Sequence, residues 1–272
     1  MLRSMYSGVS GMKGFQTKLD VIGNNIANVN TVGFKSGRVM FKDIMSQTVS
    51  GVTAPGENGQ GGVNAKQIGL GVTVSSVDTL HLAGSAMTTN NPTDLRIDGD
   101  GFFLVKLSED QETPFLTRAG DFKIDAARNL VTSDGLRVLD ATGEMITIPD
   151  EVTAFTISQD GTIVQTMADG TTTPGVQIGV GKVSNPSGLE KIGGNLYRMT
   201  LNANADGALE ATTANNAEVG TGAIIAGQLE MSNVDLTGEF TEMIVAQRGF
   251  QANSRIITTS DEVLQEVVNL KR

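Results

Sequence analysis

The chain lacks cysteine and tryptophan, and it contains a single histidine, His81. The absence of cysteine excludes disulfides, thiol nucleophiles and sulfur-ligated metals. Aromatic residues make up only 4% of the sequence, so a sugar-cleaving cleft lined by tryptophan is excluded as well. A Ser-His-Asp arrangement would have to use His81, and no G-x-S-x-G motif is present. Paired carboxylates remain open, but the sequence predicts that the chain is not an enzyme.

The lack of long apolar runs and the negative net charge restrict the class of partner. No apolar run is long enough to span a membrane, and Gly8, Gly11 and Gly14 interrupt any secretory signal pattern at the N-terminus. The net charge of −10 argues against nucleic acid, because binding to phosphate groups requires a basic face. By these rules the chain resembles a cytosolic protein, although they would miss export without a cleaved signal.

The sequence contains two weak ligand motifs, and both fail. Asp98-Gly99-Asp100-Gly101 lacks the further ligands and flanking helices of a calcium loop, so a hairpin turn is the better prediction. The run 179–182, Gly-Val-Gly-Lys, lacks the first glycine and the final Ser or Thr of a phosphate loop. We therefore predict no metal, no cofactor and no catalytic residue.

The two ends of the chain share an apolar pattern with coiled-coil spacing. Proline is absent from both ends, since all six prolines lie between Pro55 and Pro186. Basic residues dominate positions 1–45 and acidic residues dominate positions 235–272, which suits mutual pairing. The alternative is a pair of amphipathic helices on an ordinary globular core. The predicted assembly seam consists of Met5, Val9, Met12, Leu19, Ile26, Leu236, Phe240, Met243, Phe250, Ile257, Leu264 and Val268.

The middle of the chain has the pattern of a β protein. Short runs of Val, Ile, Thr, Phe and Leu recur there, and six Asp-Gly steps separate many of them, which is a hairpin signal. The fold class predicted is α+β and multidomain, with long terminal helices paired in a coiled-coil-like domain and a central antiparallel sandwich or barrel. The predicted boundaries are an N-terminal helix at 1–30, a glycine-rich linker region at 31–71, a β domain at 72–231 and a C-terminal helix at 232–272.

The stretch 19–35, LDVIGNNIANVNTVGFK, closely resembles the signature of bacterial flagellar rod and hook proteins. The segments 229–236 and 242–250 resemble the C-terminal region of that family, and 98–103, 117–122 and 194–197 resemble its middle. The resemblance therefore covers nearly the whole chain. The signature residues are Asn24, Asn25, Asn28, Gly33, Phe34 and Lys35.

The resemblance implies a structural protein that polymerises into a tube. Such a subunit would be exported by the flagellar secretion apparatus without a cleaved signal and would reside in the extracellular flagellum. Its partners would be further copies of itself, together with distal rod, hook cap and hook–filament junction proteins. The resemblance is greatest to the short hook proteins of Gram-positive bacilli, which implies a torque-transmitting universal joint. A distal rod subunit is the alternative, and a secreted carboxylate-using hydrolase is a remote one.

Overall fold

The computed structural model describes residues 2–54, 61–108, 111, 113–205, 209 and 211–270. A helix comes first, a long series of short strands follows, and a second helix ends the chain. Helix α1 spans Leu2–Ala27 and helix α2 spans Leu236–Leu270. The predicted α+β class, with long terminal helices and a central antiparallel β region, is confirmed.

The strands are short, and a single 3-10 turn at Pro186–Gly188 interrupts their series within the described part of the chain. In chain order they are β1 (Gly37–Asp43), β2 (Ser46–Ser50), β3 (Lys66–Gly69), β4 (Val72–Thr79), β5 (Ala86–Thr88), β6 (Leu95–Asp98), β7 (Phe102–Lys106), β8 (Phe115–Thr117), β9 (Lys123–Ile124), β10 (Leu130–Val131), β11 (Arg137–Val138), β12 (Val152–Ile157), β13 (Thr162–Met167), β14 (Thr172–Gln177), β15 (Gly179–Gly181), β16 (Glu190–Gly193), β17 (Leu196–Arg198), β18 (Ala211–Thr213), β19 (Ala223–Ala226) and β20 (Gln228–Glu230).

The chain divides into two compact units. Unit 1 comprises Met1–Ala27, Gly37–Thr79 and Asp235–Arg272, and unit 2 comprises Asn28–Ser36 and Leu80–Val234. The predicted linker at 31–71 therefore supplies three strands, β1 to β3, although its residues 55–60 lie outside the described part. The short segment 28–36 belongs with the β domain rather than with the N-terminal helix.

Unit 1 combines the two helices with two antiparallel strand pairs. Strand β1 pairs with β4 across a bulge between Met40 and Phe41, and β2 pairs with β3. Every residue of β2 and β3 is exposed, so this hairpin has no alternation of buried and exposed residues for a sequence pattern to detect. Helix α2 begins with an Asp235 cap, whose side-chain oxygen accepts a hydrogen bond of 3.0 Å from the Thr237 amide.

Unit 2 is built around strand β7, which lies inside a nine-stranded antiparallel sheet. Neighbouring side chains of a strand point to opposite faces, so β7 contributes to two hydrophobic cores. Phe103 and Val105 pack in one core, while Phe102 and Leu104 pack in the other. Strands β12 to β14 form a separate three-stranded sheet, and β6–β19 and β5–β20 form two-stranded ones.

The Asp-Gly hairpin prediction holds at three of the six steps. Asp134-Gly135, Asp160-Gly161 and Asp169-Gly170 join consecutive paired strands, and each glycine has a positive φ. The prediction was wrong at 98–101, because β6 and β7 on either side belong to different sheets and do not pair. The step at 206–207 lies outside the described residues.

Candidate assembly surface and buried charge cluster

Helices α1 and α2 pair antiparallel along a line of glycines and polar residues, with Phe15 of α1 packed against Gly249 of α2. Gly8 lies against Asn253 and Ile257 near one end of the pair, and Gly11 lies so close that an added Cβ would be 2.8 Å from the side-chain nitrogen of Asn253. At the other end Lys18 forms an ion pair with Glu242. The glycines thus allow the two backbones to approach closely.

The contact line is offset from the predicted seam. Positions Met5, Met12, Leu19 and Ile26 are half-buried on α1, and Val9 is 38% exposed. On α2, Met243, Ile257 and Leu264 are half-buried, whereas Leu236, Phe240, Phe250 and Val268 are exposed. Among these, Ile257 reaches Gly8 of α1. Five of the twelve predicted seam residues are therefore exposed in the single chain, and the other seven are half-buried beside the contact between the helices.

A second flank of α2 is also apolar, and the sequence patterns did not reveal it. Val245, Ile256, Val263 and Val267 recur at whole helical turns, so they lie on one side of the helix. All four are exposed, with Val245 at 54% and Val267 at 50%. We call these four residues the outer stripe. The remaining face carries Arg248, Gln251, Arg255, Thr258 and Glu262, all exposed, and its one apolar residue is Ile244, one turn before Arg248.

A helix in a monomeric globular protein carries one apolar face and is polar elsewhere. Helix α2 has apolar residues on both sides of its contact with α1, and only Ala246 among its described residues is fully buried. Exposed apolar surface of this extent indicates contact with other chains. The outer stripe is present in the sequence, but a single heptad frame follows only one apolar stripe of a helix.

Asn25 of the family signature fixes the start of strand β1 within unit 1. Its side-chain oxygen accepts a hydrogen bond of 2.9 Å from the Gly37 amide, and its side-chain nitrogen donates to the Gly37 carbonyl at 2.8 Å. The same nitrogen donates to Glu239 of α2 at 2.9 Å. Asn25 is 1% exposed, and no residue other than Asn or Gln could both donate and accept in this way. Asn24 is exposed on α1.

In unit 2, the signature segment contributes to a buried charge cluster. Lys35 donates to Glu230 at 2.5 Å and to the Leu82 carbonyl at 2.7 Å. Arg118 lies 3.3 Å from the other oxygen of Glu230 and donates to the Gly99 carbonyl at 2.8 Å. Lys35 and Glu230 are each 1% exposed, and Arg118 is 6% exposed.

The electrostatics of this cluster keep Glu230 ionised. Burial alone would raise the pKa of its carboxyl, but Arg118 and Lys35 together hold that pKa below its usual range. The cluster ties together three distant stretches of the chain, namely 28–36, the segment after β8 and strand β20. From the sequence Lys35 is predicted only as a signature residue, and neither Glu230 nor Arg118 is predicted as its partner.

The other signature residues hold the segment 28–36 in place. Phe34 is buried, and the Lys191 ammonium lies 4.1 Å from its ring centre. Asn28 accepts a hydrogen bond from the Thr31 hydroxyl at 3.1 Å. Gly33 adopts a φ of +69°, and its amide donates to the Glu230 carbonyl at 2.8 Å.

We expect Gly33→Ala to lower the stability of unit 2 by at least about 2 kcal/mol, since a left-handed φ and a steric clash add. An added Cβ would lie 2.6 Å from the Ala119 amide nitrogen. The matched control is Gly23→Ala on α1, where nothing lies within 4 Å and helix propensity predicts a gain of up to about 1 kcal/mol. Urea unfolding of both variants checks this, and equal stabilities would contradict the role given to Gly33.

His81 is half-buried beside the cluster and lies outside the strands. Its ring packs edge-on against Phe102 and Tyr197, with centroid distances of 5.7 and 5.3 Å. Burial, followed by the charges of Lys35, Arg118 and Lys191, lowers the pKa of His81 to about 4. The imidazole is therefore neutral at physiological pH.

Two features are absent from the described residues. No group of three or more histidine, cysteine or acidic side chains is placed to hold a metal ion. No described helix has both the length and the apolar character needed to cross a bilayer.

Three family models match the chain. One described as "Flagella basal body rod protein" matches residues 5–35, and "Flagellar hook protein FlgE/F/G D1 domain" matches residues 96–165. A third, "Flagellar basal body rod FlgEFG protein C-terminal", matches residues 225–270. Together they include most of α1, all of α2 and the Lys35, Arg118 and Glu230 of the charge cluster.

Individual proteins match the chain along its whole length. The flagellar basal-body rod protein FlgG of Bacillus subtilis is 55% identical over 273 residues, which covers 100% of both chains. FlgG of Borreliella burgdorferi is 38% identical over 277 residues, again covering 100% of both. The flagellar hook protein FlgE of the same species is 28% identical, in an alignment of 450 positions that covers 100% of both chains.

Proposed function

Because the chain belongs to the family of bacterial flagellar rod and hook proteins, we propose that it is a subunit of the distal rod, the drive shaft of the flagellum. Both assignments predicted from the sequence, hook and distal rod, fit this family. Sequence similarity supports the rod. The rod proteins of Bacillus subtilis and Borreliella burgdorferi are 55% and 38% identical to the chain, whereas the hook protein of Borreliella burgdorferi is 28% identical.

The observation that carries the proposal is the apolar surface of α2 on both sides of its contact with α1. Each fully buried Val, Leu, Ile or Phe contributes roughly 1.5–3 kcal/mol, so a neighbouring chain that covers these flanks would be held firmly. A contact between two different patches, repeated with a rotation that does not close, produces an open helical tube. The partner that this surface fits is therefore a further copy of the chain.

The β2–β3 hairpin of unit 1 supports the same proposal. Val49, Val52, Val63 and Ile68 are all exposed there, with Val52 at 72%. A two-stranded hairpin is marginally stable in water by itself, so it gains most from a surface that packs against it. We assign this hairpin to contacts with neighbouring subunits as well.

Location and further partners follow from the same assignment. The chain acts as part of the flagellum, in a polymeric assembly with other flagellar components, and it works by packing rather than by catalysis. Export without a cleaved signal peptide, through the flagellar secretion apparatus, belongs to the proposal. So do contacts with the hook, hook cap and junction proteins.

Immunogold electron microscopy of hook–basal bodies isolated from the bacterium that makes the chain tests the assignment. Antibodies against unit 2 should label the straight rod segment between the basal rings and the hook. Label confined to the curved hook would select the second candidate. Intact particles without label on either segment would contradict both.

A further inference from the structure

A cavity of 160 Å³ lies in unit 2 beside the buried charge cluster. Three basic side chains line it, those of His81, Arg118 and Lys182. Each water in the liquid occupies about 30 Å³, so the volume is that of about five waters and has room for one tetrahedral oxyanion together with water. Phe102 supplies an apolar wall, and Asp100 is the only carboxylate in the described lining.

Two of these basic groups have nitrogen atoms left over. His81 Nδ1 and Arg118 Nε are buried, and neither has a hydrogen-bond partner among the residues that the structure describes. The other Arg118 nitrogens are committed to Ile97, Gly99 and Glu230. A buried donor without a partner destabilises the fold, so a ligand that accepts from these atoms would recover that free energy.

The local charge also favours an anion. Lys35 and Arg118 share the single carboxylate of Glu230, which leaves one positive charge in excess. Lys182, which lines the cavity, carries another, and its ammonium donates a hydrogen bond of 2.6 Å to the Val219 carbonyl. One N–H of that ammonium is used in this bond, and two remain for a ligand.

We propose that this cavity binds one small oxyanion of the phosphate type, with His81, Arg118 and Lys182 as hydrogen-bond donors. Neutral His81 donates from Nδ1, Arg118 donates from Nε and Lys182 adds a direct charge. The exposed Asp100 carboxylate opposes the anion and weakens the site. The proposal concerns the single chain and does not depend on the assignment to the rod.

The sole histidine of the chain is a direct reporter of this site. NMR of the His81 ring in the monomeric full-length chain would be recorded against pH, in inorganic phosphate and in chloride of equal ionic strength. We expect saturable shifts in phosphate and an increase of about one unit in the pKa of His81, because a bound anion stabilises the imidazolium. Identical titrations in phosphate and chloride would overturn the proposal.

Matched variants separate the cavity from general attraction to a basic surface. Lys182→Gln should weaken phosphate binding about threefold to fivefold, as expected for a partly exposed charge pair. Lys123→Gln makes the same charge change at an exposed position of unit 2 that does not line the cavity, and it should leave binding unchanged. Asp100→Asn should tighten binding. Equal weakening by Lys182→Gln and Lys123→Gln would show that the cavity is not the site.

Discussion

Glu230→Gln is expected to destabilise unit 2 by about 3–5 kcal/mol, because it leaves two buried cations without their shared counter-charge. Lys35 and Arg118 are 1% and 6% exposed, so water cannot replace the lost carboxylate without opening the fold. The side chain of glutamine has nearly the same shape, which confines the change to charge. Thermal unfolding should show the transition of unit 2 about 10 °C lower.

The chain offers a matched control for this variant. Glu190 also pairs with an arginine, Arg198, at 2.5 Å, but both side chains are more than half exposed. Glu190→Gln should therefore cost about 1 kcal/mol or less, since water screens an exposed ion pair. If the two variants unfold at the same temperature, the cluster does not hold unit 2 together in the way described.

Val263→Asp is expected to abolish assembly while leaving the single chain folded. Val263 is 40% exposed on the outer stripe, so the isolated chain should lose no more than about 0.5 kcal/mol. In an assembled tube the same position would be covered, and an unpaired carboxylate would be taken out of water at every subunit. The bacterium should then lose motility and accumulate unassembled chain, which soft-agar swimming and sedimentation would measure.

Thr258→Asp is the control for the stripe. Threonine and valine are similar in shape, and Thr258 lies on the polar face of the same helix. This variant introduces the same charge and should leave motility and assembly near those of the unaltered protein. Loss of assembly in both variants would indicate a general effect of charge on α2 and would contradict the assignment of the outer stripe.

The helices and the β region could be predicted because their signals are local. Periodicity and the absence of proline located α1 and α2, and three Asp-Gly steps marked real hairpins. The β2–β3 hairpin was missed, since a strand without a buried face has no alternating pattern. Strand pairing depends on residues that are far apart in the chain. The Asp-Gly steps at 98–101 therefore predicted a hairpin where the chain crosses from one sheet to another.

The site was only partly predictable for the same reason. Gly8 and Gly11 face α2, but a count of large apolar residues gives glycine no weight, so the predicted seam was offset from the contact line. Lys35 and Glu230 look like surface residues by composition, because charged residues are rarely buried unless paired. Their burial became visible only when distant segments were brought together in the fold.

Photo-crosslinking in the living bacterium tests most directly whether α2 assembles the protein. Val263 and, separately, Thr258 would be replaced by benzoylphenylalanine, which reacts with whatever chain covers it. Illumination should convert the protein labelled at position 263 into covalent dimers and higher multimers of this chain, while the protein labelled at position 258 stays largely monomeric. Motile cells in which position 263 yields no crosslink to a second copy would contradict the account.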